Sequence, residues 1–301
     1  MIKRCVKCFR ARPKLAEHKM GIDYYGPFYI KEKKYRNHKR IKTYVAVFIC
    51  MSSKAIHIEV VSDLTIDTFL GALRRAKNKL YELYALANSD GFKTTVNNYA
   101  SNNGIEFHFI PPSSSYFGGL WEVGVKSYKH HFTTVAYNHV LTFEEFYTLS
   151  LEIELILNSR PLTPIPTDTN DLSALTAGHF LIGDSLIALP EPDYTPLPSN
   201  RLSAWQLITK IREDFWKRWS TEYLNEVNVR RKWNCKTKNP EEGTIVIIKD
   251  DNTPTMQRPL ARITQLHKGK DGIVRAVTLK TANGVVKRTV KKIAILPIAS
   301  D

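Results

Sequence analysis

Residues 42–50, K-T-Y-V-A-V-F-I-C, constrain the fold of this chain more than any other stretch. A run of β-branched and aromatic side chains with so little polar interruption suits a strand buried within a sheet, because such residues pack well on a pleated surface. Residues 55–61, A-I-H-I-E-V-V, follow closely and alternate as a half-buried strand does. Upstream, G-I-D-Y-Y-G-P-F places Asp23 ahead of a glycine and proline turn and then more strand-like sequence. Together these segments predict a three-stranded meander.

The pattern then turns helical. Residues 65–75 and 77–86 read as two helices, the first with Asp63 or Thr65 as N-cap. A short strand, I-E-F-H-F-I, is expected at 105–110 ahead of Pro111 and Pro112, and helical spacing resumes over 120–135. Residues 142–158 open on T-F-E-E, an N-cap followed by acidic first-turn residues. A proline-rich connector is expected to lie extended along the core from about 161 to 198. Residues 203–233 are amphipathic and aromatic, with Trp205, Phe215, Trp216, Trp219 and Tyr223 forming a packing face. Strands at 243–248, 260–266, 274–281 and 285–292, separated by D-D-N, K-D-G and A-N-G turns, predict a small antiparallel barrel.

Two carboxylates stand out against this framework. The stretch P-P-S-S-S-Y-F-G-G-L-W-E-V-G-V-K, residues 111–126, delivers Glu122 in the first turn of a helix, and Asp23 sits on the first strand. Acidic groups held at the ends of regular elements suit Mg²⁺, which takes hard oxygen ligands in rigid geometry. Lys126 and Lys129 follow Glu122 by one and two helical turns. They either meet phosphates or form ordinary Glu–Lys surface pairs. Adjacent His130 and His131 point to different faces and do not make a metal pair, and His57 reads as a satisfied strand histidine.

The two carboxylate segments, with N-S-R-P-L at 158–162 and L-T-A-G-H-F-L-I-G at 175–183, resemble the integrases of retroviruses and retrotransposons, most of all the BEL/Pao group of long-terminal-repeat elements. The resemblance implies an α/β fold: an RNase H-like integrase core with an incomplete sheet, followed by a small all-β SH3-like C-terminal domain. It divides the chain into an N-terminal remnant of a zinc-binding module (1–20), the core (21–165), the proline-rich connector (166–202), a helical segment (203–236) and the barrel (237–301). By resemblance Asp23 and Glu122 are the first and third carboxylates of a two-metal site for Mg or Mn. The second aspartate belongs to a strand-end motif close to S-D-N-G-T-x-F, and the sequence S-D-N-G does not occur. Where it should stand, G-A-L-R-R runs directly into A-K-N-K-L-Y-E-L, so the central strand and its aspartate are missing.

Three readings follow: an integrase-like protein that binds DNA without strand transfer, an active enzyme that recruits Asp90, and a gene-model error that hides the lost strand. Asp90 in N-S-D-G reads as a polar turn residue. Cys5 and Cys8, in C-V-K-C, have the spacing of half a tetrahedral zinc site. His18 could add a ligand and a fourth is not evident, so zinc is not expected from this chain alone; were it held, Cys5 and Cys8 would hold it.

Charge supports a polyanionic partner independently: 44 Lys and Arg against 29 Asp and Glu give +15. The basic residues gather at Lys33, Lys34, Arg36, Lys39 and Arg40, where Tyr35 is interleaved, at Arg230, Arg231 and Lys232, and at Lys287, Arg288, Lys291 and Lys292. With Lys126 and Lys129 these are the candidate DNA contacts. A hydrophobic content of 43% excludes a fully disordered chain. No apolar run approaches the length of about 18 that spans a bilayer, and no secretory leader is evident. Four scattered cysteines suit a reducing compartment, nucleus or cytoplasm. DNA is the expected partner, with no membrane, and the family adds self-association.

Overall fold

The computed structural model describes residues 20–32, 39–50, 53–79, 119–136, 139–165, 172–182, 184–186, 188, 191–227, 240–250, 253–269 and 272–296, with backbone alone for 77–79, 119–127 and 226–227. The expected meander is present. Strands β1 (Met20–Lys31), β2 (Arg40–Cys50) and β3 (Ile56–Val61) form an antiparallel sheet in the order β1-β2-β3. Asp23 pairs with Val47, which pairs with Ile58. The register of β1 slips between Tyr25 and Phe28, at Gly26 and Pro27. Gly26 has φ +140° and lies so close to the Tyr44 ring that a Cβ there would meet it at 2.9 Å, so only glycine suits the position.

β2 is covered on both faces. Val45, Val47 and Ile49, with Ile56, Ile58 and Val60 of β3, face a helical layer made by α2 (Gly119–Ala136), α3 (Phe143–Asn158) and α5 (Ala204–Val227). Ala46, Phe48 and Cys50 face Ala72, Leu73 and Ala76 of α1 (Ile66–Lys79). α1 starts beneath Asp63, whose Oδ1 accepts from Thr65 N at 2.9 Å. The break expected between residues 75 and 77 is absent, since α1 continues to Lys79; residues 80–86 lie outside the described residues.

β3 departs from expectation. All six of its residues are buried, polar His57 and Glu59 included. Burial is tolerable because each polar side chain finds a partner: His57 Nδ1 and Nε2 lie 2.9 Å from Glu154 Oε2 and Glu59 Oε1, and Arg75 Nε is 2.6 Å from Glu59 Oε2. β3 is also the sheet edge, and α3 closes it with side chains one helical turn apart. Asn158 accepts from Ile56 N at 2.8 Å and donates to Ile56 O at 2.7 Å, while Glu154 accepts from Ile58 N at 2.8 Å. Those side chains take the role of a neighbouring strand. α3 begins in a capping box between Thr142 and Glu145, as its T-F-E-E opening suggests.

The connector is not wholly extended. β4 (Pro161–Pro164) and β5 (Ala174–Thr176) pair as a ribbon ahead of the short α4 (Gly178–Ile182). Further on, the segment around Thr195 is strapped to α5: Lys210 Nζ donates to Thr195 O and Leu197 O at 2.6 and 2.8 Å, and Arg212 is 2.8 Å from Glu191. Phe215, Trp216 and Trp219 of α5 are buried as the stripe requires, but Trp205, at 53% exposure, lies off it.

The C-terminal strands β6 (Ile245–Ile248), β7 (Leu260–Lys268), β8 (Val274–Thr281), β9 (Gly284–Thr289) and β10 (Ile293–Ile295) form one antiparallel sheet in the order β10-β6-β7-β8-β9. One cluster, including Val246, Ile263, Val277 and Leu279, fills its interior. A second, Ile245, Ile247, Ala294 and Leu296, packs on Leu224 of α5. Among the described residues no helix is long and apolar enough to cross a membrane.

Candidate carboxylate site and basic surfaces

α2 is laid across β1 by aromatic packing. Phe28 of β1 meets Phe132 of α2 edge-on at 5.2 Å, and Tyr25 meets Tyr128 at 6.5 Å. The Tyr25 hydroxyl also hydrogen-bonds Thr133 Oγ1. This packing brings Lys129 onto Asp23: Nζ donates to Oδ2 at 2.6 Å, and the ammonium stands 5.4 Å from the Tyr25 ring centre. Both side chains are about a third exposed.

The same helix carries Glu122 seven residues before Lys129, about 10 Å along the axis and on the same side. The side chains of Glu122 and Lys126 lie outside the described residues, as do Cys5, Cys8, Lys33, Lys34, Arg36, Asp90, 105–110, Arg230, Arg231 and Lys232. The helix that carries Glu122 is thus set against the Asp23 strand, and the group touching Asp23 is Lys129. Among the described residues no cluster of three or more His, Cys, Asp or Glu could hold a metal. A divalent ion needs several oxygen donors, and the described carboxylate, Asp23, is paired with an ammonium.

The adjacent histidines have different surroundings. His130 is exposed, whereas His131 is buried against Phe215, their rings 6.0 Å apart, and beside Glu222. Desolvation pulls the His131 pKa down, against the opposing charge of Glu222.

Two basic surfaces are formed. The distal part of the β1–β2 hairpin carries Lys31, Lys39, Arg40 and Lys42, and all but Lys31 are exposed. The C-terminal sheet exposes Arg275, Lys280, Lys287, Arg288, Lys291 and Lys292, and the described residues from 253 to 296 include no Asp or Glu. Such a surface attracts phosphate.

Several charged groups escaped sequence reasoning. In the His57 network burial opposes ionisation of Glu59, but the hydrogen bonds and charges of His57 and Arg75 prevail and hold its carboxyl below the ordinary range. On α5, burial together with Asp193 pushes the Glu213 carboxyl up to about 7. Arg258 lies over Trp216, Trp219 and Tyr223 at 4.8, 5.0 and 5.0 Å from the ring centres. Sequence spacing gives little signal for these groups, because Arg75, Asp193 and the three rings sit on elements other than those of Glu59, Glu213 and Arg258.

Residues 203–296, which hold α5 and the C-terminal sheet, match a family described as of unknown function (DUF5641). No curated protein matches the chain. Among solved structures, it is similar to a chain of the simian T-cell lymphotropic virus intasome in complex with PP2A regulatory subunit B56 gamma, with 10% identity over 96% of this chain and 82% of that chain and a TM-score of 0.38.

Proposed function

We propose that this chain is the integrase-like part of a BEL/Pao-type retroelement protein, and that it binds DNA on basic surfaces without performing strand transfer. The observation that carries the reading is the Lys129–Asp23 contact. It joins the Asp23 strand to the helix that carries Glu122, and it neutralises the carboxylate that metal chemistry would need. The three-stranded meander crossed by the Glu122 helix supports an RNase H-like core. The strand order β10-β6-β7-β8-β9, with its last strand returning beside its first, supports an SH3-like barrel. Mg or Mn chemistry is assigned no step, and zinc none. Self-association on DNA, as in the family, and a nuclear or cytoplasmic location belong to the same proposal.

Phosphate contacts release condensed counterions, so affinity for duplex DNA should fall with salt at a log–log slope of about 0.9 per phosphate engaged. The test is fluorescence anisotropy on labelled duplex over a salt series, beside a Mg²⁺ or Mn²⁺ nicking and strand-transfer assay on wild type and Glu122→Gln. The expected result is steep salt dependence with no Glu122-dependent cleavage. Cleavage that vanishes in Glu122→Gln would overturn the reading and favour an active enzyme with a substitute ligand, for which Asp90→Asn is the next variant.

A further inference from the structure

The distal face of the β1–β2 hairpin combines an uncovered aromatic ring with like charges held opposite one another. Tyr29 pairs with Lys42 and Lys31 with Arg40. Directly opposed residues of an antiparallel pair project to the same side, and so do residues two apart, so all four side chains share one face. The neighbouring pair, Ile30 with Ile41, projects to the other side, where Ile30 and Phe28 join the core beneath α2 and α3. Tyr29 is a large ring left 50% exposed, while Phe28 beside it packs inward.

Lys31 opposite Arg40 is unfavourable in the free chain, because like charges directly across a ladder repel. A polyanion lying on this face removes the repulsion. Cations alone would suffice for a duplex backbone; an exposed ring among them adds a surface on which a base can stack, and only an unpaired base offers its face.

We infer that the hairpin face of Tyr29, Lys31, Arg40 and Lys42 binds single-stranded DNA, with an unpaired base stacked on Tyr29 and its flanking phosphates on the three cations. The inference rests on the reading of the chain as a DNA-binding protein and assigns this face a strand preference. The face lies beyond the Lys129–Asp23 pair in β1, so the two sites can be varied separately.

The test is anisotropy with a labelled oligothymidine and a labelled duplex of equal length at one salt concentration. Tyr29→Ala should weaken oligothymidine binding about tenfold or more and leave duplex binding within about twofold, whereas Tyr29→Phe, which keeps the ring, should bind as wild type does. Lys42→Gln should lower the single-strand salt slope by about 0.7. An unchanged affinity of Tyr29→Ala for oligothymidine, or an equal loss on the duplex, overturns the inference, as does a wild type that binds duplex only. A wild type that binds neither probe overturns the DNA-binding reading as well, which separates the two failures. An unchanged melting temperature shows that Tyr29→Ala still folds.

Discussion

Lys129 Nζ lies 2.6 Å from Asp23 Oδ2, an ion pair between residues 106 positions apart in sequence. It sets a helix against a strand and makes the lysine and the aspartate mutually exclusive with other partners. A DNA phosphate must compete with Asp23 for Lys129.

Asp23→Asn should therefore raise affinity for duplex DNA. A partly exposed pair is worth about 0.2–1 kcal/mol, so the gain is roughly up to fivefold at low salt and disappears at high salt. Thermal stability should fall by no more than about 1 kcal/mol. Anisotropy at two salt concentrations measures this, and a loss of affinity in Asp23→Asn refutes the competition.

The edge of β3 makes a second prediction. Asn158→Leu removes an acceptor from Ile56 N and a donor from Ile56 O, both within a buried setting. Each backbone group left without a partner costs about 1–3 kcal/mol, so the variant should lose about 2–6 kcal/mol in urea unfolding. It should also aggregate more readily, because an uncapped strand edge is a pairing site. A variant as stable as wild type would mean that α3 does not close the sheet.

Glu213 gives the pH dependence its sign. Burial first, then the hydrogen bond and charge of Asp193, raise its folded-state pKa to about 7 from an ordinary 4.5. Between these values the folded chain holds a proton that the unfolded chain has lost, so stability decreases as pH rises from about 4.5 to 7 and levels off above. Glu213→Gln, which keeps the hydrogen-bonding shape without the titration, should flatten that segment of the profile and melt higher than wild type at pH 8. Melting curves at half-unit pH intervals measure it; a parallel loss in wild type and variant would assign the titration elsewhere.

The sequence exposed the local elements well and the tertiary partnerships poorly. The β2 run, the Thr142 cap and the A-N-G turn between β8 and β9 are legible because period, capping and turn chemistry are properties of neighbouring residues. Burial of His57 and Glu59 was not, since the alternation of 55–61 is also that of a half-buried strand and the partners that make burial tolerable come from α1 and α3. Lys129 was legible as a cation on the Glu122 face, but its choice of Asp23 over solvent depends on how aromatic packing seats α2 on β1. Arg258 carries no signal among its sequence neighbours. Its actual role is visible only once α5 brings three rings beneath it.

That role supplies the last prediction. Among the described residues the Nε, Nη1 and Nη2 atoms of Arg258 are buried with no hydrogen-bond partner, and burial pulls the guanidinium pKa down to about 10. The faces of Trp216, Trp219 and Tyr223 compensate the lost hydration. Trp216 Nε1 also donates to Thr253 O at 3.4 Å, so the clasp ties the loop ahead of β7 to α5. Arg258→Met keeps an unbranched chain against the rings and removes the buried charge, and replacing buried ionic groups by apolar ones of similar volume is often neutral or stabilising. It should stay within about 1 kcal/mol of wild type. Arg258→Ala leaves a cavity against three rings, and truncations of that size cost about 2–5 kcal/mol. Its tryptophan emission should shift to the red as water reaches Trp216 and Trp219. If the alanine variant unfolds no earlier than the methionine variant and its emission is unchanged, the three rings hold the C-terminal sheet to α5 without help from Arg258.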